Sequence, residues 1–283
     1  MSRQNFSVSM CVYGKDNPEH FDAALESVIK QTLPPTEIVL TVDGPIPETL
    51  EKVISRHQEQ LKETAIDFKI IRLEKNMGHG EARRVCFDNC SYPLIVLMDA
   101  DDLSVPDRFK KQIEFFNNHP DLSVIGGNIK EFISSEDPWD VSHMAGNRIV
   151  PAEDAEIKAY MRKRCPMNQV TVMFKKADVA EVGGFIAWYC EEDYYLWIRL
   201  ALAGKQFGNI QDTLVNVRVG EEMYQRRGGF KYFLSEFKLQ KLMWNKGLTG
   251  SVRFLINVAE RFILQVLMPN RIRGWVFQKL ARN

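Results

Sequence analysis

The first 120 residues alternate between short apolar runs and longer segments whose apolar residues recur every three or four positions. Run length and flanking turns read 6–13, 37–42, 68–73 and 94–98 as strands. Between them, 18–31 puts Phe21, Leu25, Val28 and Ile29 on one helical face, and 50–61, 80–89 and 106–118 read as further helices, the last with Pro106 and Asp107 in its first turn. Four strand–helix units in succession imply an α/β fold with a parallel sheet and right-handed crossovers. Ligands of such sheets bind beyond the carboxyl ends of the strands. Asp43 follows 37–42 and Asp99 follows 94–98, so both are expected on one rim.

The second half is less regular. Residues 166–174 read as a loop followed by a strand, Val182-Gly183-Gly184-Phe185 as a turn, and Glu191-Glu192-Asp193 opens a helix over 194–203. Past Gly229 the composition changes. The segment 251–268 lines Arg253, Asn257, Glu260, Arg261 and Gln265 on one narrow helical stripe and leaves a broad apolar face of Phe254, Leu255, Val258, Phe262, Leu264, Val266 and Leu267, which is expected to be buried somewhere. Beyond Pro269 the tail carries Arg271, Arg273, Lys279 and Arg282, no acid, and Trp275 with Phe277. That is the composition of an interfacial helix on an anionic leaflet; the alternative is an ordinary helix packed on the main domain or on a second subunit. The expected organisation is a domain over 1–220, with halves 1–105 and 106–220, and a helical, amphipathic, basic extension over 221–283.

Composition narrows the class. With 283 residues, 45% hydrophobic and 26% charged, the chain has enough apolar content for a sizeable core and is neither disordered nor fibrous. A formal net charge of +0 gives no argument for nucleic-acid binding. The five cysteines form no CxxC pair, so neither a zinc site nor a disulfide framework is indicated, and a reducing cytoplasm fits best. Cys86 and Cys90, one helical turn apart, read as small apolar residues on a buried face rather than as soft-metal ligands. The first residues lead into a strand rather than a signal sequence, and no apolar run reaches membrane-spanning length.

The candidate chemistry is acidic. Met98-Asp99-Ala100-Asp101-Asp102 places two carboxylates, Asp99 and Asp101, two residues apart where a buried strand runs out into solvent. Such a pair repels itself unless it shares a proton or a cation, and Mg²⁺ or Mn²⁺ with phosphate oxygens is the natural occupant. The other reading is that acids after a strand cap the next helix or stay solvated. A dinucleotide-binding oxidoreductase is disfavoured because the first turn, Tyr13-Gly14-Lys15-Asp16-Asn17-Pro18, has a single glycine, and no P-loop occurs.

Taken together, Val12-Tyr13, Ile38-Val39-Leu40-Thr41-Val42-Asp43-Gly44, Asn76-Met77-Gly78 with Ala82-Arg83, and Met98-Asp99-Ala100-Asp101-Asp102 resemble the family 2 glycosyltransferases of GT-A fold, in order and spacing, over most of the first 220 residues. That fold is a Rossmann-like, mixed but mainly parallel sheet flanked by helices, here with a C-terminal helical extension. Tyr13-Gly14-Lys15-Asp16, Val217-Arg218-Val219-Gly220 and Tyr224-Gln225-Arg226-Arg227-Gly228-Gly229 further resemble bacterial enzymes that assemble exopolysaccharide, capsule or O-antigen units. The resemblance implies a nucleotide-sugar-binding half over 1–105 and an acceptor side over 106–220. It implies that Asp43 accepts a hydrogen bond from the uracil N–H of a UDP-sugar, that Tyr13 packs on the base, and that Asn76 and Arg83 meet the nucleotide or diphosphate. Asp99 and Asp101 become the DXD pair holding Mn²⁺ or Mg²⁺, and Asp193 the general base of an inverting displacement. Acids in a helix's first turn are favoured by the macrodipole in any case, so Asp193 also has a purely structural reading.

One departure matters. Many relatives have a histidine where this chain has Gly220, so Arg226, Arg227 or Arg218 is expected to supply the missing phosphate contact. The expected activity is transfer of a hexose (glucose, galactose or an N-acetyl form) from a UDP-sugar to a lipid-diphosphate-linked saccharide. The expected setting is the cytoplasmic face of a bacterial inner membrane, reached through the C-terminal helices, with an oligomer possible. The rival readings are a sugar-phosphate nucleotidyltransferase and a non-catalytic nucleotide-sugar-binding protein; Asp193 and the acid pair argue against the second.

Overall fold

In the computed structural model, residues 4–220 and 228–268 are described. The first half runs β1 (Phe6–Tyr13), α1 (Pro18–Ile29), β2 (Glu37–Asp43), α2 (Glu48–Leu61), β3 (Asp67–Arg72), α3 (His79–Asn89), β4 (Leu94–Met98), β5 (Leu103–Ser104) and α4 (Arg108–Asn118). The second half continues β6 (Leu122–Ile133), β7 (Met144–Arg148), α5 (Asp154–Met161), β8 (Met173–Lys175), α6 (Lys176–Glu181), α7 (Glu192–Leu202), β9 (Gln206–Val219), α8 (Phe230–Asn245) and α9 (Ser251–Phe262). A π turn, Ile263–Leu267, extends α9.

The nine strands form one mixed sheet in the order β3-β2-β1-β4-β8-β6-β9-β5, with β7 on β6. β1 to β4 pair in parallel, β8 runs antiparallel to both β4 and β6, and β9 is parallel to β6. Two antiparallel steps restore direction, so β6 and β9 end on the same rim as β1, β2 and β4. Tyr13 pairs with Asp43 in register there. β2 and β4, in the middle of the parallel part, are covered on both faces and buried along their whole length, which is why they read as continuous runs rather than alternating. In β4, Leu94, Val96 and Met98 face the core under α1, α2 and α4, whereas Ile95 and Leu97 face the core under α3, α6 and α7. Each fully buried Leu, Ile or Val contributes about 1.5–3 kcal/mol of transfer free energy. Cys86 and Cys90 are buried in the second of these cores, as small apolar residues.

Helix starts follow local chemistry. Asn17 Oδ1 caps α1 by accepting from Glu19 N (2.8 Å) and His20 N (3.1 Å), with Pro18 at the first position. Pro106 and Asp107 precede α4 rather than forming its first turn, and Asp107 is its N-terminal flank. Asp102 is no helix cap: it is buried and accepts from Arg218 N at 2.7 Å, tying the loop after β4 to β9.

The C-terminal helices reverse one expectation. α8 and α9 pack side by side, with Phe233 against Phe262 and Trp244 stacked on Phe254. The face that α9 turns inward is its polar stripe: Asn257 is fully buried, Arg261 and Gln265 nearly so. Asn257 Nδ2 donates to Arg162 O and Gln240 Oε1 (2.7 Å each), and Arg261 donates to Glu236 and to Lys163 O. Buried polar groups need such partners, and here α5 and α8 provide them. Of the apolar residues expected to be buried, Phe254, Val258, Leu264 and Val266 are half-buried, whereas Leu255, Phe262 and Leu267 stay exposed, as do Val252, Ile256 and Ile263. Among the described residues no helix is long and apolar enough to cross a membrane. Trp275, Phe277 and the basic residues of the tail lie outside the described residues, as do Arg226 and Arg227.

Candidate active site

The rim formed by the ends of β1, β2, β4 and β9 is capped by the N-termini of α3 and α7. At the end of β2 the Asp43 carboxylate is buried and accepts from Met77 N (2.6 Å) and Gly78 N (3.0 Å), while Asn76 Nδ2 donates to Asp43 O at 3.3 Å. Asp43 and Asn76 are thus one structure, a carboxylate moulding the loop before α3. Gly44 is what lets the loop come so close: its φ is +83°, and a Cβ there would lie 2.4 Å from Asn76 N. Tyr13, half-buried, is beside them in register.

The centre of the site is a chain of charged groups. Arg83 on α3 is buried and donates from Nη2 to Asp99 Oδ1 and to His79 Nε2, both at 2.7 Å. A guanidinium has no acceptor, so His79 Nε2 accepts and the imidazole proton sits on Nδ1, which donates to Glu192 Oε1 at 2.8 Å. Burial alone would raise the Asp99 carboxyl, but Arg83, aided by Arg108, outweighs it and holds Asp99 below the usual carboxylate range. Glu192 is likewise lowered against its burial by His79 and Arg83.

Asp193, next along α7, behaves in the opposite way. Its carboxyl is pushed up by burial and by the Glu192 charge, only partly offset by Tyr194 N, Arg83 and Arg148. Oδ1 accepts from Tyr194 N at 2.7 Å and Oδ2 from the Cys165 thiol at 3.7 Å. The preceding Glu191 is buried and receives the Tyr232 hydroxyl of α8, so the C-terminal helices brace the start of α7. Trp188 packs on Tyr195, with ring centroids 4.4 Å apart, and Lys231 lies 4.1 Å over the exposed Tyr189 ring.

A further acid, Asp16, feels the charges of Asp101 and Asp99. Asp16 turns back after β1 and accepts from Tyr13 N at 2.9 Å. Burial, with the charges of Asp101 and Asp99 adding to it, pushes its carboxyl up to about 6. Asp101 is exposed, and its carbonyl accepts from Arg218 Nε at 2.9 Å. Asp102, between the same charges, is driven well up by burial and by Asp101 and Asp99.

Arg218, one of the three arginines offered for the phosphate contact, is engaged elsewhere in the rim. Its guanidinium is spent on Asp101 O, Ser134 Oγ (3.0 Å) and Pro138 O (2.7 Å), and lies 4.6 Å over the Phe132 ring. It builds the rim instead of reaching into it. Arg83 is the cation that pairs directly with Asp99.

A protein-family model described as glycosyl transferase family 2 matches residues 7–181, which include Asp16, Asp43, Asn76, Arg83, Asp99 and Asp101. The chain belongs to this family. It is 33% identical over 277 residues to UDP-Gal:alpha-D-GlcNAc-diphosphoundecaprenol beta-1,3-galactosyltransferase of Escherichia coli, covering 98% of this chain and 96% of that one. It is also 33% identical to the amylovoran biosynthesis glycosyltransferase AmsE of Erwinia amylovora, over 97% of this chain and 98% of that protein. An uncharacterized glycosyltransferase of Haemophilus influenzae is 36% identical over 98% of this chain and 99% of that protein. Among solved structures, S. aureus TarS 1-349 in complex with UDP-GlcNAc superposes with a TM-score of 0.64 at 19% identity, over 92% of this chain and 73% of that one. The mannosyltransferase PcManGT of Pyrobaculum calidifontis, in complex with GDP-Man and Mn²⁺, gives 0.64 at 13%, over 99% and 76%. This glycosyltransferase therefore has the GT-A fold, a mixed, mostly parallel sheet with a C-terminal helical part.

Sequence reading named Asp43, Asn76, Arg83, Asp99, Asp101, Tyr13 and Asp193, and the fold brings the ends of their elements to one rim. It missed Asp16, His79 and Glu192. The His79–Arg83 spacing of four on a helix was visible in the sequence, since such residues share a face. The contact from His79 to Glu192, 113 residues away, was not.

Proposed function

We propose that this family 2 enzyme is an inverting hexosyltransferase, moving glucose, galactose or an N-acetyl form from a UDP-sugar to a lipid-diphosphate-linked saccharide in bacterial surface-polysaccharide assembly, at the cytoplasmic face of the membrane. The observation that carries the reading is the chain Asp99–Arg83–His79–Glu192, which joins the acid at the end of β4 to the start of α7, where Asp193 stands with its carboxyl raised. The full-length similarity to a galactosyltransferase named for a diphosphoundecaprenol-linked acceptor supports the substrate class.

In this reading the acceptor hydroxyl oxygen attacks the anomeric carbon, the bond from that carbon to the UDP oxygen breaks on the opposite face, and the hydroxyl proton passes to the Asp193 carboxylate. Configuration inverts in that single displacement. A raised carboxyl is a better base than an ordinary one, and positioning makes a carboxylate sufficient because the hydroxyl acidifies as the new bond forms. Tyr13 covers one face of the uracil. The Asp43 oxygens, each already accepting one backbone N–H, keep a further lone pair for the uracil N–H. Asn76 holds that loop, and Arg83 lies toward the diphosphate. Arg226 and Arg227 complete the phosphate contacts in the absence of a histidine at Gly220.

The acids fit a divalent cation. Asp16 is raised to about 6 in part because Asp101 and Asp99 crowd it, a repulsion that a hard cation relieves. Among the described residues no three such side chains are grouped to hold a metal ion, so Asp99 and Asp101 would share Mn²⁺ or Mg²⁺ with donor phosphates. When bound, such an ion would supply positive charge against the negative charge that grows on the departing UDP. Residues 1–220 form the catalytic domain in this proposal, with 1–105 on the donor side, and 221–283 the extension that meets the membrane.

The test is UDP release by the purified chain across a panel of UDP-sugars, with Mn²⁺ or EDTA, with and without an undecaprenyl-like diphosphate-sugar acceptor. Turnover that needs one donor, the acceptor and the metal is expected. Turnover indifferent to acceptor, or absent with every donor and acceptor from a folded protein, refutes the proposal.

A further inference from the structure

α9 is an amphipathic helix mounted inside out. Its polar stripe, Asn257, Arg261 and Gln265, is buried, with Asn257 and Arg261 hydrogen-bonded to Gln240, Glu236, Arg162 O and Lys163 O. Its outer face carries Val252 (73% exposed), Leu255 (64%), Ile256 (42%), Phe262 (38%), Ile263 (53%) and Leu267 (63%). Val252, Leu255, Ile256, Ala259, Ile263 and Leu267 recur at helical spacing and make one continuous stripe along α9 and the π turn, with Phe262 at its edge against Phe233. Leaving such a row of large aliphatic side chains in water costs free energy, and monomeric proteins seldom expose one without a binding role.

Charge says what covers it. The exposed side of α8, packed alongside, presents Lys231, Lys238 and Lys241 around Leu234, with Lys246 just past its end, against the single exposed acid Glu260 on α9. Immediately past the stripe come residues 269–283, with Arg271, Arg273, Lys279 and Arg282, no acid, and Trp275 and Phe277. A second copy would bring the same excess of lysines to this face, with one exposed acid, Glu260, on each copy to offset them. An anionic bilayer accepts both features: the aliphatic stripe enters the acyl boundary, and the lysines reach the headgroups.

We infer that the outer face of the α8–α9 pair is a membrane-docking surface for anionic lipid, with the Val252–Leu267 stripe immersed and Lys231, Lys238 and Lys241 at headgroup level. This deepens the lipid-linked acceptor reading above and rests on it. Tyr232 of α8 touches Glu191 at the start of α7, so docking there sets the base Asp193 at a fixed relation to the surface that carries the acceptor.

The experiment is co-sedimentation of the full chain, without donor or acceptor, with vesicles of phosphatidylcholine alone or mixed with phosphatidylglycerol. The wild type is compared with Leu255→Glu/Ile263→Glu and with Lys238→Ala/Lys241→Ala. All four side chains are solvent-exposed, so circular dichroism should show unchanged folding. Wild type should partition onto the mixed vesicles, the glutamate variant about 100-fold more weakly, and the alanine variant measurably less and with a flatter salt dependence. UDP release with a short-chain, water-soluble acceptor should be unchanged in both variants. Equal partition of wild type and the glutamate variant, no partition of wild type, or light scattering that shows a wild-type dimer dissociated by the glutamate pair would overturn the inference. Vesicle binding without transfer would instead remove the functional reading and leave the docking surface standing.

Discussion

Arg83 is the residue on which the site turns. It is buried, its partners are Asp99 and His79, and replacing it by Met leaves the Asp99 carboxylate without its cation. Breaking a buried pair from one side costs about 3–5 kcal/mol, so Arg83→Met should lower stability by that order in chemical denaturation, and Arg83→Met/Asp99→Asn by less than the sum of the single changes. Asp16 titrates in the opposite sense from a paired acid. Its folded value, about 6, lies above its unfolded value of 3.8, so its contribution is fully present below pH 3.8 and is lost as pH rises through 6. Asp16→Asn should therefore melt higher than wild type above pH 6, by about 1–2 kcal/mol after discounting for partial exposure, and lose that advantage near pH 4. Melting curves of both proteins across that range, without divalent metal, check it; parallel curves would contradict it. For Asp193 the raised carboxyl shifts the acid limb of the rate upward: turnover rises with pH through that value, because only the carboxylate accepts the proton.

The elements differ in how much of them local pattern dictates. β1 to β4 with α1 to α4 were legible because each buried strand is a short apolar run and each helix carries its own 3.6 period. β6, at 12 residues, was not read as a strand and β9, at 14, only near Asn216; they pair in parallel across some 80 residues of chain with register shifts near Gly127 and Asn128. Their conformation is set by the partner and not by their own periodicity; a Cβ on Gly126 would lie 2.6 Å from Asn209 Oδ1, so the close approach there needs glycine. α9 shows the converse. Its amphipathic period was plain in the sequence, but which face points inward depends on partners on other elements, Glu236, Gln240 and the carbonyls of Arg162 and Lys163, which no local pattern reveals. The link between β2 and α3 yields its own prediction. Gly44→Ala forces a left-handed residue to carry a Cβ against Asn76 N, which should cost on the order of 2–4 kcal/mol and displace the Asn76–Gly78 loop, so that affinity for UDP falls along with the melting temperature.

At the scale of the molecule, one sheet gathers the carboxyl ends of four strands on a rim, two helix N-termini close over it, and the C-terminal helices hold the second of those from outside. Both the family and the shared rim of Asp43 and Asp99 were legible in the first half of the sequence. The buried bracing by Tyr232 and the charged chain through His79 were not, because both join segments far apart in the sequence. The central claim is that Asp193 takes the acceptor proton while Arg83 and Asp99 serve the donor side. It is tested most directly by acceptor-dependent UDP release from wild type and from Asp193→Asn, with UDP binding measured on both proteins by calorimetry. The account predicts that Asp193→Asn binds UDP as wild type does and loses turnover by about 10³-fold or more. Turnover within a few-fold of wild type in the folded variant would contradict it.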